Sequence, residues 1–387
     1  MGKPIYLDYH ATTPVDPRVL DAMLPYFTEK FGNAASKQHA YGWEAQKAVD
    51  RAREQVAALI GASANEIVFT SGASESNNLA IKGTACASRE RGRHLITAVT
   101  EHKSVLDSFN RLEQDGWTVT RLGVNQEGFV DLDELIRSIT PETVLISIMA
   151  ANNEIGTVQH LAAIGAIARE RNVVFHTDAA QAAGKVPIDV RRDNVDLLAL
   201  TGHKYNGPKG AGALFIRRAK PRLALQAQID GGGHESGFRS GTLNVPGIVG
   251  LGAAAEICRT EMASESVRMS SLRDRLLATL KRELNNVRLN GPSGDRRLPH
   301  NLHVSFDDVE GERLLMALGD LAVSTGSACS AGSEKPSHVL EAIGATCRPG
   351  ASIRFGLGRW TTEAEIDTAA ERVVKVVRTL SAPILNT

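Results

Sequence analysis

Six short apolar runs recur through the first two-thirds of the chain: EIVFT (66–70), HLITAV (94–99), TVLISIM (143–149), VVFH (173–176), LLALT (197–201) and GALFI (212–216). Helical patterns lie before and between them, in DPRVLDAMLPYF from residue 16, over 37–60, after Ser71–Ser74, near 103–115 and at 161–171. A strand that is apolar on both faces must be covered on both faces, so the alternation predicts an α/β protein with a mostly parallel central sheet between helices. Asp16 ahead of Pro17 reads as a helix start, and Gly61 reads as a helix stop. Beyond about residue 260 the pattern changes to a charged helix (264–285), HNLHVSF (300–306), the helix GERLLMAL (311–318) and a last helix over 362–380. This reads as a smaller α+β domain. The expected division is 17–258 for a large domain, with 1–16 and 259–387 forming the small one.

The 387 residues exceed what one compact core holds, which agrees with two domains. Lys and Arg number 44, as do Asp and Glu, so the net charge is zero. That balance lacks the basic footprint of a nucleic-acid binder. No apolar run approaches the ~20 residues of a membrane span. MGKPIYLDYH has no signal-peptide core, so a cytoplasmic protein is expected. Cys86, Cys258, Cys329 and Cys347 form no C-x-x-C pair, which argues against a zinc site or a disulfide framework.

In open α/β sheets a ligand sits beyond the carboxyl ends of the strands. Polar residues gather there after five of the six runs: SGASESNN, TEHKS, AANNEIG, TDAAQ and GHK. SGAS opens a helix whose free N–H groups suit a phosphate, although a simple Ser74 cap explains it equally well. Neither G-x-x-x-x-G-K-[ST] nor G-x-G-x-x-G occurs in the required context. Lys204 follows an apolar strand and precedes Gly207, Gly210 and Gly212. It reads as a phosphate clamp or a Schiff-base lysine rather than a solvated one. Asp178 reads as a helix cap or, beside such a lysine, as the carboxylate that keeps a pyridine nitrogen protonated. His102 reads as a hydrogen-bonded core residue or as a flat partner stacked on that ring, and Asn153 and Gln181 supply orienting amides. Cys329 lies in a run of Ser, Gly and Ala, the composition of an accessible loop, where a thiolate is a strong nucleophile. Cys86 and Cys258 read as buried structural thiols, and Cys347 stays open. Arg354, in the strand-like SIRFGLG, reads as a carboxylate clamp or a surface ion pair.

Taken in order, YLDYHATTPVDPRV, FTSGASESNNLAIKG, EHKSV, NNEIGTVQ, HTDAAQAAGKVPID, GHKYNGPKGAG, GGGHESGFRSGTLNVPGIVG, GSACSAGSEKPSHVL and SIRFGLGRWTTEAEID span the chain. The sequence resembles the cysteine desulfurases of the iron–sulfur-cluster and nitrogenase type, fold-type I enzymes of pyridoxal 5'-phosphate. The resemblance implies that Lys204 holds the cofactor as a Schiff base and moves the substrate Cα proton. It implies phosphate contacts from Ala73, Ser74, Thr201 and His203. Thr242 would reach the phosphate of a partner subunit, which implies a homodimer. Asp178 would face the ring nitrogen, Gln181 the ring oxygen and His102 the ring face. Asn153 would touch cofactor and substrate, and Arg354 the carboxylate of L-cysteine. Cys329 would take the sulfur as a persulfide, leaving L-alanine. Its spacing resembles the long-loop subgroup, which passes sulfur to acceptor proteins and for which Cys329 would also be a transient iron–sulfur ligand. The chain ends at LSAPILNT, without the longer docking tail of housekeeping members, so a cluster scaffold, a tRNA-thiolation carrier and DNA-phosphorothioation machinery all remain open as acceptors. A selenocysteine lyase or transaminase would need Lys204 and Asp178 but no nucleophilic Cys329. A non-catalytic sulfur carrier on the same fold is the rival from another class.

Overall fold

The computed structural model describes residues 3–218, 223–307, 309–325, 337–346 and 350–381. Strand β1 (Ile5–Tyr6) precedes helices α1 (Pro17–Met23), α2 (Pro25–Thr28) and α3 (Ala40–Leu59). Strands and helices then alternate: β2 (Ile67–Thr70), α4 (Ala73–Ala87), β3 (His94–Ala98), α5 (Lys103–Gln114), β4 (Thr118–Leu122), α6 (Leu132–Ser138), β5 (Thr143–Ser147), α7 (Leu161–Glu170) and β6 (Val174–Asp178). Strands β7 (Leu197–Thr201) and β8 (Gly212–Ile216) complete this part. The rest carries α8 (Val245–Glu283), β9 (Val287–Leu289), β10 (Asn301–Asp307), α9 (Gly311–Ala317), β11 (Leu321–Ala322), α10 (His338–Ala342), β12 (Gly350–Gly356) and α11 (Glu363–Ser381).

The six apolar runs all become strands of one seven-stranded sheet, ordered β2-β8-β7-β6-β5-β3-β4. Only β8 runs against its neighbours. Every residue of β2, β3, β5, β7 and β8 is buried, as the unbroken apolar runs require. The seventh strand, β4, lies at the edge and is mostly half-exposed, so TVTRL carries no apolar signal and the sequence reading leaves it unassigned. Helix α6 was missed for a similar reason. It has seven residues and one buried position, and Asp131 caps it through the N–H groups of Asp133 and Glu134.

Asp16 caps α1 as expected, accepting from the Arg18 N–H at 3.0 Å, and Gly61 follows α3 with φ of 69°. The largest difference is α8, which starts at Val245 rather than near 264. GIVGLGAAA reads poorly as a helix because glycine costs helix propensity. Here glycine permits contact: a Cβ on Gly252 would stand 2.6 Å from the Ala52 Cα of α3. Helix α8 serves two cores. Ile248, Leu251 and Cys258 join the core under the large sheet, whereas Leu272, Leu276 and Leu280 join the core formed with β10, β12 and α11. In that second core β9, β10 and β12 form an antiparallel sheet ordered β12-β10-β9.

Cys258 is buried as expected, but Cys86 is half-buried, because it falls in the last turn of α4 where the helix leaves the core. Cys329 and Cys347 lie outside the described residues. Among the described residues, no helix is long and apolar enough to cross a membrane.

Candidate active site

The carboxyl ends of β2, β3, β5, β6 and β7 open on one cavity of about 570 Å³. Ala73, Ser74, His102, Asn153, Asp178, Gln181, Thr201, His203 and Lys204 all line it from those strand ends. Arg354 reaches it from β12 of the second sheet. Thr242 is exposed and is not among the residues that line this cavity. Cys329, the expected nucleophile and iron–sulfur ligand, lies outside the described residues.

At the β2 end, α4 begins without a side-chain cap. The cap position is Gly72, with φ of 155°, and Ser74 is already the second helical residue rather than the cap. Its first-turn N–H groups are therefore left for a ligand, which suits an anion. Beside them, the His203 ring pairs with Thr12 Oγ1 at 3.2 Å. Burial, followed by the charges of Lys204 and Lys209, pulls its pKa down to about 4.

At the β3 end, His102 caps α5. Its Nδ1 accepts from the Ser104 N–H at 3.1 Å and lies 2.8 Å from Ser104 Oγ. An accepting Nδ1 places the proton of the neutral ring on Nε2. Burial holds this ring below the ordinary histidine value. The β6 end presents Asp178, whose Oδ2 accepts from Asn77 Nδ2 at 2.7 Å and whose Oδ1 accepts from the Ala180 N–H at 2.9 Å. Glu101 is fully buried nearby, with Oε1 accepting from the Met149 N–H at 2.7 Å. Burial, reinforced by Asp178, raises the Glu101 carboxyl well above its usual range despite that hydrogen bond.

Lys204 ends the short turn Gly202–Lys204 directly after β7 and is half-buried, so it is not a solvated lysine. Its Nζ donates to the carbonyl of Ala11 at 2.9 Å and to that of His10. Arg354 is 1% exposed, which rules out a surface ion pair. Its Nη2 donates to Asp8 Oδ1 at 2.8 Å and its Nη1 to the Asn153 carbonyl at 3.0 Å. Its Nε is buried with no hydrogen-bond partner among the described residues.

Four residues of this site escaped the sequence reading: Asp8, His10, Asn77 and Glu101. Asp8 and His10 lie within YLDYHATTPVD and Glu101 within TEHKS, but nothing local marks them, because their partners are distant in sequence. The donor set fits pyridoxal phosphate. An uncapped helix start, a buried carboxylate and an amine share one cavity.

The class-V aminotransferase profile matches residues 5–368. A protein named cysteine desulfurase IscS from Anaeromyxobacter sp. (strain K) is 57% identical over 381 residues, spanning 98% of this chain and 94% of the relative. The protein of the same name from Vibrio cholerae serotype O1 is 55% identical over 385 residues, spanning 99% of this chain and 95% of the relative. Among solved structures, a NifS-like protein superposes with a TM-score of 0.90 at 37% identity, covering 97% of this chain and all of the other. Family profile, near full-length relatives and fold thus agree, and the chain belongs to the class-V aminotransferase family.

Proposed function

We propose that this chain is a pyridoxal-phosphate-dependent cysteine desulfurase. It moves sulfur from L-cysteine to Cys329, leaving L-alanine, and passes it on to an acceptor protein. The observation that carries the reading is one cavity lined by Lys204, Asp178 and Arg354, in a chain whose relatives bear that name. When bound, pyridoxal phosphate supplies an electron sink for bond breaking at the substrate. The first turn of α4, with Thr201 and His203, binds its phosphate. Asp178 keeps its ring nitrogen protonated, Gln181 meets its ring oxygen, and His102 covers its face. Lys204 holds the cofactor covalently and then takes and returns the proton at the substrate Cα. Arg354 and Asn153 hold the substrate carboxylate. The Cys329 thiolate attacks the substrate sulfur. One S–S bond forms and the Cβ–S bond breaks; its electron pair stays with the carbon fragment, whose Cβ takes up a proton equivalent to that of the substrate thiol to give L-alanine, and the sulfur remains on the enzyme as a persulfide, able to act as a transient iron–sulfur ligand.

The same reading makes the enzyme a homodimer, with Thr242 serving the partner's phosphate. Two observations support this: Thr242 is exposed away from its own cavity, and Leu24, Phe27, Phe31, Tyr41 and Trp43 are exposed together near α1 to α3. Residues 17–258 then form the cofactor domain, and 1–16 with 259–387 the smaller one. The two hydrophobic cores support that division. Scattered cysteines without C-x-x-C pairs suit a reducing, cytoplasmic setting.

The test is the absorbance of the purified protein, followed by L-cysteine addition with alanine and sulfide assayed together in wild type and Cys329→Ala. The expected result is a yellow protein in both, with turnover only when Cys329 is present. Turnover by Cys329→Ala would move the assignment to a lyase or transaminase. A protein that takes up no pyridoxal phosphate would refute it.

A further inference from the structure

A buried chain of hydrogen bonds runs from Arg297 through Asn301 to His10 and Gln181, both of which line the cavity. Arg297, at 2% exposure, donates from Nη1 to Asn301 Oδ1 at 2.6 Å. Asn301 donates from Nδ2 to the Glu154 carbonyl at 2.9 Å and pairs through the same nitrogen with His10 Nε2 at 3.0 Å. His10 Nδ1 lies 3.0 Å from Gln181 Oε1, and Gln181 Nε2 donates to the His10 carbonyl at 3.0 Å.

The direction of this chain follows from chemistry. A guanidinium has no acceptor, so Asn301 must turn its oxygen to Arg297 and its amide nitrogen to Glu154 and His10. Reversing Asn301 would set donor against donor at Arg297 and oxygen against oxygen at Glu154. His10 Nε2 must then accept, which leaves the proton on Nδ1, and Nδ1–H must donate to Gln181 Oε1. Reversing Gln181 would set its oxygen against the His10 carbonyl. The His10 ring is held in place by stacking on His300, with centroids 4.3 Å apart and planes at 29°. Burial, with like charge from Arg354, Lys204 and Lys185, keeps the ring well below the ordinary histidine value, in keeping with a neutral imidazole.

We infer that His10 is a positioning residue that transmits the orientation set by Arg297 to the Gln181 amide, so that Gln181 presents an N–H donor to the cavity. The ligand class it selects is an aromatic aldehyde phosphate carrying an anionic ring oxygen, and in that respect the inference rests on the function proposed above. Neither His10 nor Asn301 follows from the reaction itself. Their role is to reinforce the His10 carbonyl against an amide flip that would turn an acceptor toward that oxygen.

Two experiments judge it. In the apo-protein labelled with ¹⁵N-histidine, with His10 assigned by its loss in His10→Gln, the expected state is a single Nδ1–H tautomer that stays neutral through pH 5. An Nε2–H tautomer, or titration near the ordinary value of about 6.5, would overturn the relay without reference to any cofactor. The second is a double-mutant cycle on affinity for pyridoxal 5'-phosphate and for its 3-deoxy analogue. His10→Phe keeps the ring stack and removes both nitrogens. It should weaken pyridoxal 5'-phosphate about tenfold, the order of one to two neutral hydrogen bonds. It should leave the 3-deoxy analogue unchanged and have no further effect in Gln181→Ala. Equal losses for both ligands, or an undiminished loss in the Gln181→Ala background, would show His10 to be merely structural and overturn the inference. Failure of the wild type to bind pyridoxal 5'-phosphate would overturn the functional reading, and the tautomer would still decide the relay.

Discussion

Lys204 and Arg354 face the same cavity from different sheets, and their partners differ in kind. Lys204 donates to the main-chain carbonyls of His10 and Ala11. Neither of these two acceptors carries a formal charge. Arg354 is clamped on the Asp8 carboxylate and the Asn153 carbonyl inside the core. Withdrawing it would leave Asp8 without its counter-charge, which is costly away from water. The cavity therefore pairs a lysine held on main-chain carbonyls with an arginine clamped on a carboxylate. The first suits proton transfer, and the second suits recognition of a carboxylate.

Acid should break that comparison most strongly. His10, His176, His300 and His303 are fully buried, and burial lowers each of them, His176 to about 4 and His303 to about 3. A folded-state pKa below the unfolded one means that the unfolded chain binds the proton first. Stability is therefore complete above the ordinary value near 6.5 and falls as pH drops toward the folded values. Four such groups give a limiting slope of roughly 5 kcal/mol per pH unit, from about 1.4 kcal/mol for each proton. Urea midpoints between pH 7 and 5 would measure it, and a flat profile would refute it. His303 lies opposite Arg354 in the β10–β12 register, and His10 stacks on His300. Hydrogen exchange near pH 5 should therefore loosen the Arg354 wall before the centre of the large sheet.

Changing Lys204 comes next. Lys204→Gln should lower turnover by about 10³-fold or more, the scale of a lost acid–base group. The change should fall on kcat, with the fold intact by circular dichroism. Loss confined to KM would contradict the division of labour between the two cations. The smallest effect is expected at the fixed cation. Arg354→Lys should raise KM for L-cysteine about 10- to 100-fold, the order of one charged hydrogen bond, while leaving cofactor absorbance unchanged. Asp8→Asn should act in the same direction but more weakly, since it loosens the clamp without removing it. An effect of Arg354→Lys on kcat alone would place Arg354 in the chemistry instead.

Much of this was legible in the chain. Six apolar runs specified the buried strands, and polar residues after them specified one end of the sheet as the site, because burial on both faces and side-chain chemistry leave local marks. Lys204, Asp178, His102 and Gln181 could be named because each directly follows such a run. Edge strand β4 could not be found, since a half-exposed strand needs no apolar pattern. The start of α8 was hidden because its glycines serve contact with α3 rather than helix propensity.

What the sequence determined by itself was therefore the α/β class, the end of the sheet that binds, and the residue types able to do the chemistry. Only the tertiary structure decided how those residues are held. Asp8 meets Arg354 across 346 positions and His10 meets Asn301 across 291, and no periodicity connects residues so far apart. Such pairs form only when the N-terminal segment lies along β12 of the second sheet, where Asp8 bridges Gly356. Burial then makes them obligatory, because an unpaired charge or amide in that core would cost more than the local sequence could recover.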